Sequence, residues 1–515
     1  MCDQLSALAT SPYGNRDVLT PNLSKLSQRG VVFEQSYCNS PLCAPSRASM
    51  MSGQLASQIP VNDNAEELPA SVPTFVHHLR RGGYKTSLSG KMHFVGPDQL
   101  HGFEERLTTD IYPSDYLWTK YWPAQGDPPR RVGLPGGDEE VGRHYDLRTR
   151  EMSQMVKEAG PVSWSYQLEY DEEVQFRSLE RLRRLARRRG ESASQPWFLC
   201  VSYTHPHDPY VSTPEYWDRY EDIDFAMPED PPADYEPHPV DVWVNASHGL
   251  DRVNPTREDV YRSRRGYYAM TSYIDDKVGE LVRELERLGQ AENTIVIFTS
   301  DHGDQVGEHG MWHKRTYREW SSRVPLLFAG PGITRNGRVA ENVSLVDLYP
   351  TLIDLAGIEM PEVDFVQHLE GHSLAPFLRG ERLADWPNEV VIENNGEGVI
   401  KPVRALVKDR YKFVYVHERP DQLFDLAEDP EEWHNVVDNP SYKKIAAQLR
   451  SKLLKDWDPA ETERNVLASQ RLRMFLKDAL YEGEYTPWDY QPISDASQMW
   501  VRRTSNRQWD PDLGT

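Results

Sequence analysis

The chain has 515 residues, a formal net charge of −22 and 38% hydrophobic residues. This length exceeds what one ordinary hydrophobic core accommodates, so we expect one large domain and a smaller one. The hydrophobic fraction is enough for a packed core and excludes general disorder. The negative charge argues against a nucleic-acid partner or an anionic membrane, so an anionic substrate would need a local cationic pocket.

The cysteines and the N-terminus bear on the compartment. The four cysteines show no zinc-like spacing and are too few for a disulfide scaffold, which fits a reducing compartment. No run of about 18 apolar residues is present, so we expect no membrane span. A signal peptide has a basic stretch followed by an apolar one, and the first residues of this sequence show no such pattern. We therefore expect a cytoplasmic protein.

Apolar periodicity predicts helices that alternate with strands up to about residue 380. The predicted elements are a helix and an extended run in 20–36, a helix in 74–82, a strand at 84–88, a helix at 172–189, a strand at 197–203, a helix at 266–288, strands at 294–299 and 325–329, and a helix at 346–355. Residues 119–160 and 213–262 read as irregular. This alternation predicts an α/β fold, with a large, mostly parallel central sheet flanked by helices.

The pattern changes after residue 380. Three runs resemble antiparallel strands, at 390–392, 404–407 and 412–416, and helices are predicted at 441–456 and 464–481. Residues 484–515 show little periodicity and are expected to form an extended arm. We therefore predict a catalytic α/β domain in residues 1–380, an α+β subdomain in 381–480, and a C-terminal arm in 481–515 that contacts another subunit.

The stretch from Ser40 to Arg47 places a thiol beside a predicted helix start. Pro45 suits a first helical position, and the free N–H groups of a helix N-terminus favour an anion. Arg47, four residues after Cys43, would lie on the same face and contact anion oxygens. This arrangement favours transfer of a sulfuryl, phosphoryl or acyl group. The alternative, Cys43 as a small buried hydrophobe, is equally compatible with the local pattern.

Polar residues follow several predicted strands, and in open α/β sheets ligands bind beyond the carboxyl ends of the strands. Asp301 and His302 follow one strand directly, and Asp3 offers a third ligand of the same type. A mixed oxygen and nitrogen set favours manganese beside calcium or magnesium. The alternative for Asp301 and His302 is a turn-capping carboxylate and a surface histidine.

Candidate cationic and proton-transferring residues also lie in the loops that follow the predicted strands. Lys91, Arg47 and Lys314 would form a cationic pocket opposite the metal, although each alone would ordinarily be a solvated surface charge. His93 and His207 are candidates for proton transfer near a nucleophile and a leaving group. Either histidine, taken by itself, could equally be structural.

These residues together resemble the formylglycine-dependent sulfatases of the alkaline phosphatase superfamily. Cys43–Arg47, C-A-P-S-R, is similar to the signature C-x-P-S-R of that family. Supporting motifs follow in order: S-G-K-M-H at 89–93, P-H-D-P at 206–209, T-S-D-H-G-D at 299–304 and W-H-K at 312–314. In the family the cysteine is converted to formylglycine, whose hydrate attacks the sulfur of a sulfate ester.

The resemblance implies a role for each candidate. It implies one divalent metal held by Asp3, Asp301, His302 and the modified Cys43, with Arg47, Lys91 and Lys314 around the sulfate. His93 would assist the hydrate, and His207 would lie near the leaving oxygen. It further implies a formylglycine-generating or equivalent maturation enzyme, and a homo-oligomer, dimer or tetramer, whose C-terminal arm reaches a partner's active site.

A narrower resemblance is to the choline sulfatases, carried by 96–113, 170–174 and 487–492. It implies that a quaternary ammonium group meets the aromatic face of Trp118, the carboxylate of Glu397 and Asp489 on the arm. The alternative for Trp118 is a core or interface tryptophan. Residues 119–160 do not match the choline sulfatases, and Arg130 and Arg131 there would select an anionic or sugar-like alcohol.

Three hypotheses follow. The first is a sulfatase acting on a small-molecule sulfate ester, choline-O-sulfate before an aryl or carbohydrate sulfate. The second is a phosphonate or phosphate ester hydrolase with the same site plan. The third is an inactive binding homologue.

Overall fold

The computed structural model describes residues 1–120, 122, 152–187, 195–250, 253–360, 369–485 and 487–493. Numbered in chain order, its strands are β1 Gly30–Tyr37, β2 Lys85–Gly90, β3 Glu105–Arg106, β4 Gly160–Pro161, β5 Trp197–Ser202, β6 Val211–Ser212, β7 Val296–Thr299, β8 Leu326–Ala329, β9 Gly337–Ser344, β10 Glu389–Asn394, β11 Val403–Lys408, β12 Tyr411–Val416 and β13 Gln422–Asp425.

The α-helices are numbered in the same way. They are α1 Pro21–Gln28, α2 Cys43–Ser52, α3 Phe75–Arg81, α4 Met152–Lys157, α5 Tyr166–Ala186, α6 Pro214–Trp217, α7 Pro239–His248, α8 Arg257–Arg287, α9 Glu319–Ser322, α10 Leu348–Leu355, α11 Ala375–Leu378, α12 Lys443–Leu453 and α13 Pro459–Glu482. No helix in the described part of the chain is both long enough and apolar enough to span a bilayer.

Two sheets in the first part of the chain are joined by its first residues. One has the order β7-β8-β1-β9 and the other the parallel order β3-β2-β5. β8 runs antiparallel to β7 and β1, while β1 and β9 are parallel. Cys2 forms a parallel bridge with Ser300, and the Met1 amino group donates to the Val201 carbonyl at 2.7 Å. The prediction of an α/β fold is confirmed. Among the described strands of these two sheets, β8 is the one that runs antiparallel to its neighbours.

Both faces of the sheet are covered. Side chains alternate between the two faces of a strand, and in β1 Val31 and Phe33 join one hydrophobic cluster whereas Val32 joins the other. The first cluster includes buried residues of α2, α3 and α10, and the second includes those of α1 and α8. The long α8 begins at a capping box of Thr256 and Asp259, which satisfies free N–H groups of its first turn.

The four strands β10–β13 form an antiparallel sheet in sequence order. One face packs on α12 through Leu406, Phe413 and Leu449. Val407 and Val414 face the opposite cluster, which also contains Trp243 of α7. These elements match the α+β character predicted for residues 381–480, and the domain boundary at 380 stays a prediction.

Several elements differ from expectation. β9 was not predicted because its first half alternates exposed polar residues with few apolar ones. α7 lies in a stretch predicted to be irregular, and it buries Val240, Trp243 and Val244. α4 lies in the predicted insertion 119–160, whose residues 123–151, including Arg130 and Arg131, lie outside the described residues. Residues 197–201 of β5 are half-buried rather than enclosed on both faces, because Met1 covers the free edge only near Val201 and Tyr203.

Candidate active site

The candidate residues converge at the carboxyl ends of the parallel strands, where open α/β sheets place their ligands. The contributing segments are the first four residues, the start of α2, the loops after β2, β5 and β7, and the loop that carries Lys314. Residues separated by up to 310 positions in the chain share hydrogen bonds there. The site is therefore a product of tertiary folding, as the topological argument predicted.

Cys43 is the first residue of α2, and Leu42 before it has an extended backbone. The helix therefore begins two residues earlier than the Pro45 start that the sequence predicts. Pro45 is tolerated there because the first four N–H groups of a helix have no intrahelical partner. The N–H of Ala44, the residue after Cys43, donates to Asn64 Oδ1 at 3.0 Å. This hydrogen bond fixes the backbone beside the thiol.

The Cys43 thiol lies against an ammonium group and an imidazole. Its Sγ atom lies 3.2 Å from Lys314 Nζ and 3.2 Å from His302 Nε2. Burial alone would raise the pKa of the thiol, but Lys314, Lys91 and His302 together hold the pKa of Cys43 well below its usual range. The alternative of a thiol in apolar packing is excluded by these contacts.

Asp3, Cys43, Asp301 and His302 form a buried cluster in which one ligand atom from each lies within 4.8 Å of the others. His302 Nδ1 lies 3.0 Å from the Gly303 carbonyl and donates to it, so Nε2 presents its lone pair to the cluster. Burial and Cys43 act to raise the pKa of Asp3, but Lys91, His207 and Arg47 outweigh them and keep it well below its usual value. Two carboxylates and an imidazole are a donor set suited to a divalent cation.

Arg47 is buried beside this cluster. Its Nε donates to Asp301 at 2.8 Å and its Nη2 to Asp3 at 3.0 Å. Its Nη1 donates to the Lys91 carbonyl and to Ser202 Oγ. Each guanidinium nitrogen thus has a partner within the protein, and Arg47 orients the two carboxylates. The expected contact of Arg47 with substrate oxygens stays a prediction.

The loop after β2 carries Lys91 and His93 into the site. Lys91 Nζ contacts Asp3 and lies 4.1 Å from the centre of the Tyr112 ring. His93 has a left-handed backbone with φ of 56°, and its buried ring nitrogens have no hydrogen-bond partner among the described residues. Asp110 accepts hydrogen bonds from the N–H groups of Met92 and His93 at 3.0 and 2.9 Å, which holds this loop in place.

His207 and Lys314 meet on the other side of Cys43. Lys314 Nζ lies 2.9 Å from His207 Nε2 and 2.7 Å from Gln4 Oε1. His207 Nδ1 lies 2.7 Å from the Asp208 carbonyl oxygen, to which it donates, so Nε2 is the nitrogen that accepts the hydrogen bond from Lys314. Burial would lower the pKa of Lys314, but Cys43 and Asp3 raise it above its usual value.

Four residues at the site were not identified from sequence: Gln4, Asn64, Asp110 and Tyr112. Gln4 Nε2 bridges Asp208 and Asp304 at 2.9 and 2.6 Å, and Tyr112 Oη lies 3.3 Å from His207 Nε2. Asp110 and Tyr112 lie within residues 96–113, a stretch that resembles the choline sulfatases. That resemblance could have identified them as candidate site residues. Gln4 is a left-handed residue with φ of 66°, a strain that marks functional sites.

The predicted alcohol-binding residues divide into two groups. Trp118 is half-buried, and its ring centre lies 4.7 Å from that of Tyr112 and 5.5 Å from that of His93. It thus belongs to an aromatic wall beside the catalytic candidates. Glu397 instead forms an ion pair with Arg315 at 2.6 Å. Asp489 on the arm accepts from both the N–H and the hydroxyl of Ser114 at 3.0 Å, within the same chain.

Comparison with protein families gives three matches. Residues 1–358 match the family model described as Sulfatase. Residues 307–458 match the model N-sulphoglucosamine sulphohydrolase, C-terminal, and residues 464–511 match Choline sulfatase enzyme C terminal. The three together span nearly the whole chain.

Individual proteins agree with these matches. The chain is 42% identical to a choline-sulfatase of Rhizobium meliloti (strain 1021), over 98% of this chain and 95% of that protein. It is 30% identical to arylsulfatase K of Gallus gallus, over 85% and 78% of the two chains. A phosphonate monoester hydrolase from Silicibacter pomeroyi has a similar fold, with a TM-score of 0.66, 24% identity, and coverage of 88% and 93%.

Proposed function

The chain belongs to the sulfatase family and is a sulfuric ester hydrolase, and we propose that its substrate is choline-O-sulfate, which it hydrolyses to choline and sulfate. The observation that carries this proposal is the placement of an aromatic wall, Trp118 and Tyr112, directly beside the cationic nucleophile site. The relative at 42% identity and the match at 464–511 support the same substrate.

The chain also has residues for the two groups that sulfatases generally use, a formylglycine and a divalent metal. Asp3, Asp301 and His302, with the residue formed from Cys43, would hold one cation, Ca²⁺ or Mn²⁺ and, as a third choice, Mg²⁺. Such a cation would stabilise negative charge on sulfate oxygens. A maturation enzyme would convert Cys43 to formylglycine, whose hydrate supplies an oxygen nucleophile where Sγ now lies.

The protein's own charges would bind and polarise the sulfate group. Lys314 and Lys91 lie on different sides of Cys43 and are held by Gln4, His207 and Asp3. Because these ammonium groups are buried and already oriented, they stabilise charge on the transferred group without reorganisation. Arg47 acts indirectly, since it fixes the positions of Asp3 and Asp301.

Two histidines would move protons. His207 Nε2 is placed to carry the proton that the departing choline oxygen requires, because Nδ1 is committed to the Asp208 carbonyl. His93 faces the same pocket with both ring nitrogens unengaged among the described residues. It would hold a proton of the nucleophile's hydroxyl groups.

The aromatic wall would receive the trimethylammonium group. A quaternary ammonium cannot donate a strong hydrogen bond, so the face of Trp118 is its natural partner, since the Tyr112 ring already has Lys91 Nζ over it. Asp489 would add negative charge at this end, and Glu397 would add less because it is paired with Arg315. Asp489 is tied to Ser114, four residues before Trp118, so the arm also positions the wall.

The homo-oligomer remains part of the proposal. The outer face of α13 exposes Leu472 and Phe475, at 58% and 68%, and Ile493 on the arm is 94% exposed. Exposed large apolar side chains such as these favour burial against another subunit. Light scattering of the purified chain tests this: a dimer or tetramer is expected, and a monomer at micromolar concentration contradicts it.

A substrate panel tests the proposed function. Sulfate release is measured for choline-O-sulfate and para-nitrophenyl sulfate, and release of the alcohol is measured for a methylphosphonate ester. Each assay is run with and without added Mn²⁺, using material from a host that matures formylglycine. We expect choline-O-sulfate to give the highest kcat/KM and Mn²⁺ to raise it. Faster cleavage of the phosphonate ester than of either sulfate would contradict the proposal.

A further inference from the structure

Arg473 of the C-terminal helix α13 forms a buried ion pair with Asp63, which lies in the loop after α2. Arg473 Nη1 and Nη2 donate to the two carboxylate oxygens of Asp63 at 2.7 and 2.8 Å, and the two side chains are 5% and 1% exposed. A planar guanidinium that meets both oxygens of one carboxylate fixes the orientation of the two groups as well as their distance. The helix therefore holds Asp63 in one position.

The loop that contains Asp63 has no regular structure of its own. Residues 53–74 lie between α2 and α3 and include neither helix nor strand, so their backbone lacks the hydrogen-bond ladder of such elements. Asp63 Oδ1 supplies part of what is missing, since it also accepts from the Ala65 N–H at 2.9 Å. The position of this backbone thus depends on a side chain that Arg473 orients.

A second contact from α13 supports the same turn. Ser469, one helical turn before Arg473, donates to a carboxylate oxygen of Glu66. The other carboxylate oxygen of Glu66 accepts from the Asn62 N–H at 2.7 Å. One face of the helix therefore grips the turn 62–66 at two points.

This turn contacts the nucleophile segment. Asn64 directly follows Asp63, and its Oδ1 accepts from the Ala44 N–H at 3.0 Å. Ala44 is the residue after Cys43. A chain of contacts, each 3.0 Å or shorter, therefore runs from Arg473 through Asp63 and Asn64 to the backbone beside the thiol.

From these contacts we infer that Arg473 is a positioning residue, which keeps the nucleophile at position 43 in its reactive orientation through the Asp63 carboxylate and the Asn64 amide. The inference rests on the proposed function, since that function assigns the nucleophile to position 43. It gives the C-terminal helix a part in the reaction, because a nucleophile misplaced by about 1 Å reacts ~100-fold more slowly. Loss of Arg473 accordingly acts on kcat rather than on KM.

Hydrogen exchange tests the positioning without any substrate, on protein whose Cys43 is unmodified. Deuterium uptake by a peptide that includes Ala44 is followed by mass spectrometry in the wild type, in Arg473→Met and in the control Arg471→Met, whose side chain is exposed on the same helix. Arg473→Met should make the Ala44 N–H exchange at least ~10-fold faster, since local opening becomes easier. The control should match the wild type. Equal uptake in the wild type and Arg473→Met overturns the inference.

Kinetics of the matured enzymes on para-nitrophenyl sulfate separate positioning from general stabilisation. Arg473→Met and Asn64→Ala should each lower kcat ~10–100-fold and change KM less than about threefold. Because both act through the contact with Ala44, the double variant should lie within about threefold of the slower single variant. Losses that multiply in the double variant overturn the inference, as does a wild-type kcat in Arg473→Met.

Urea unfolding establishes which variants are folded under the assay conditions. If Arg473→Met is not folded, Arg473→Lys replaces it in both measurements, because lysine keeps the charge but not the parallel pair of hydrogen bonds. Arg473→Lys must then speed exchange and lower kcat at least about threefold, and no change in either quantity overturns the inference. If the matured wild type hydrolyses no sulfate ester, the proposed function is wrong. The exchange experiment still decides whether Arg473 holds the segment at position 43.

Discussion

Replacing Asp110 with asparagine should loosen the loop that carries Lys91 and His93. The Asp110 carboxylate accepts from the N–H groups of Met92 and His93 and pairs with Arg106 at 2.5 Å. Burial would raise the pKa of Asp110, but Arg106, His93 and the Met92 N–H lower it from 3.8 to about 2. At about 1.36 kcal/mol for each pH unit, this corresponds to ~2 kcal/mol of folding free energy at neutral pH.

The expected loss is ~2–4 kcal/mol in the free energy of unfolding, because Arg106 is also left buried without its counter-ion. The contribution of a carboxyl with a lowered pKa is present above its unfolded value and is lost as pH falls towards 2. The difference between wild type and Asp110→Asn should thus be constant near neutral pH and narrow as pH falls from 3.8 towards about 2. We expect kcat/KM to fall ~10–100-fold through misplacement of Lys91 and His93.

Urea unfolding at several pH values, together with kinetics on para-nitrophenyl sulfate, measures both effects. Asp456→Asn is the matched control, since that side chain is 87% exposed and its loss should change neither quantity. An Asp110→Asn protein with wild-type unfolding free energy and wild-type kcat/KM would refute the reasoning.

Three further predictions address the site. Lys314→Met should lower kcat for para-nitrophenyl sulfate ~100–1,000-fold, as loss of a pre-oriented charge donor does; steady-state kinetics check this, and a change below about threefold would count against the role. Trp118→Ala should raise KM for choline-O-sulfate ~5–30-fold and leave the aryl ester nearly unchanged, by loss of a cation–π contact of ~1–2 kcal/mol; equal effects on both esters would remove that argument. Asp301→Asn should lower the divalent metal content measured by elemental analysis after dialysis, and a metal content equal to that of wild type would show that the cation lies elsewhere.

Strand-end reasoning from the sequence brought together residues that are distant in the chain. Asp301 and His302 were grouped because they follow a predicted strand, and Asp3 was added as a third ligand of the same type; the structure places all three in one cluster. Lys91, His93, His207 and Lys314 were grouped by the same argument. This worked because buried strands have a strong apolar signal and because parallel strands present their carboxyl ends to one edge.

Side-chain direction could not be predicted in the same way. Arg47 was expected to contact an anion because it lies one helical turn after Cys43, but the two buried carboxylates that bind its guanidinium could not be foreseen. Glu397 was expected to be a free acceptor for a cation, yet Arg315 pairs with it. Such pairings depend on contacts between loops far apart in sequence, and no local periodicity reports them.

The strand β9 and the site residues Gln4 and Asn64 were not predicted, for a different reason. β9 lies at the edge of its sheet and contains only two valines and one alanine among its eight residues, so its apolar alternation is incomplete. Gln4 and Asn64 form polar contacts to the nucleophile segment and its partners. Their residue types are common in turns and therefore carried no signal of their own.

The account depends on chemistry performed by the residue at position 43 on a sulfate ester. The most direct measurement is sulfate release from choline-O-sulfate by the purified, matured enzyme and by Cys43→Ala prepared identically, with circular dichroism confirming that both are folded. We predict stoichiometric choline and sulfate from the wild-type enzyme and none above background from Cys43→Ala. Equal release by the folded variant would contradict the account.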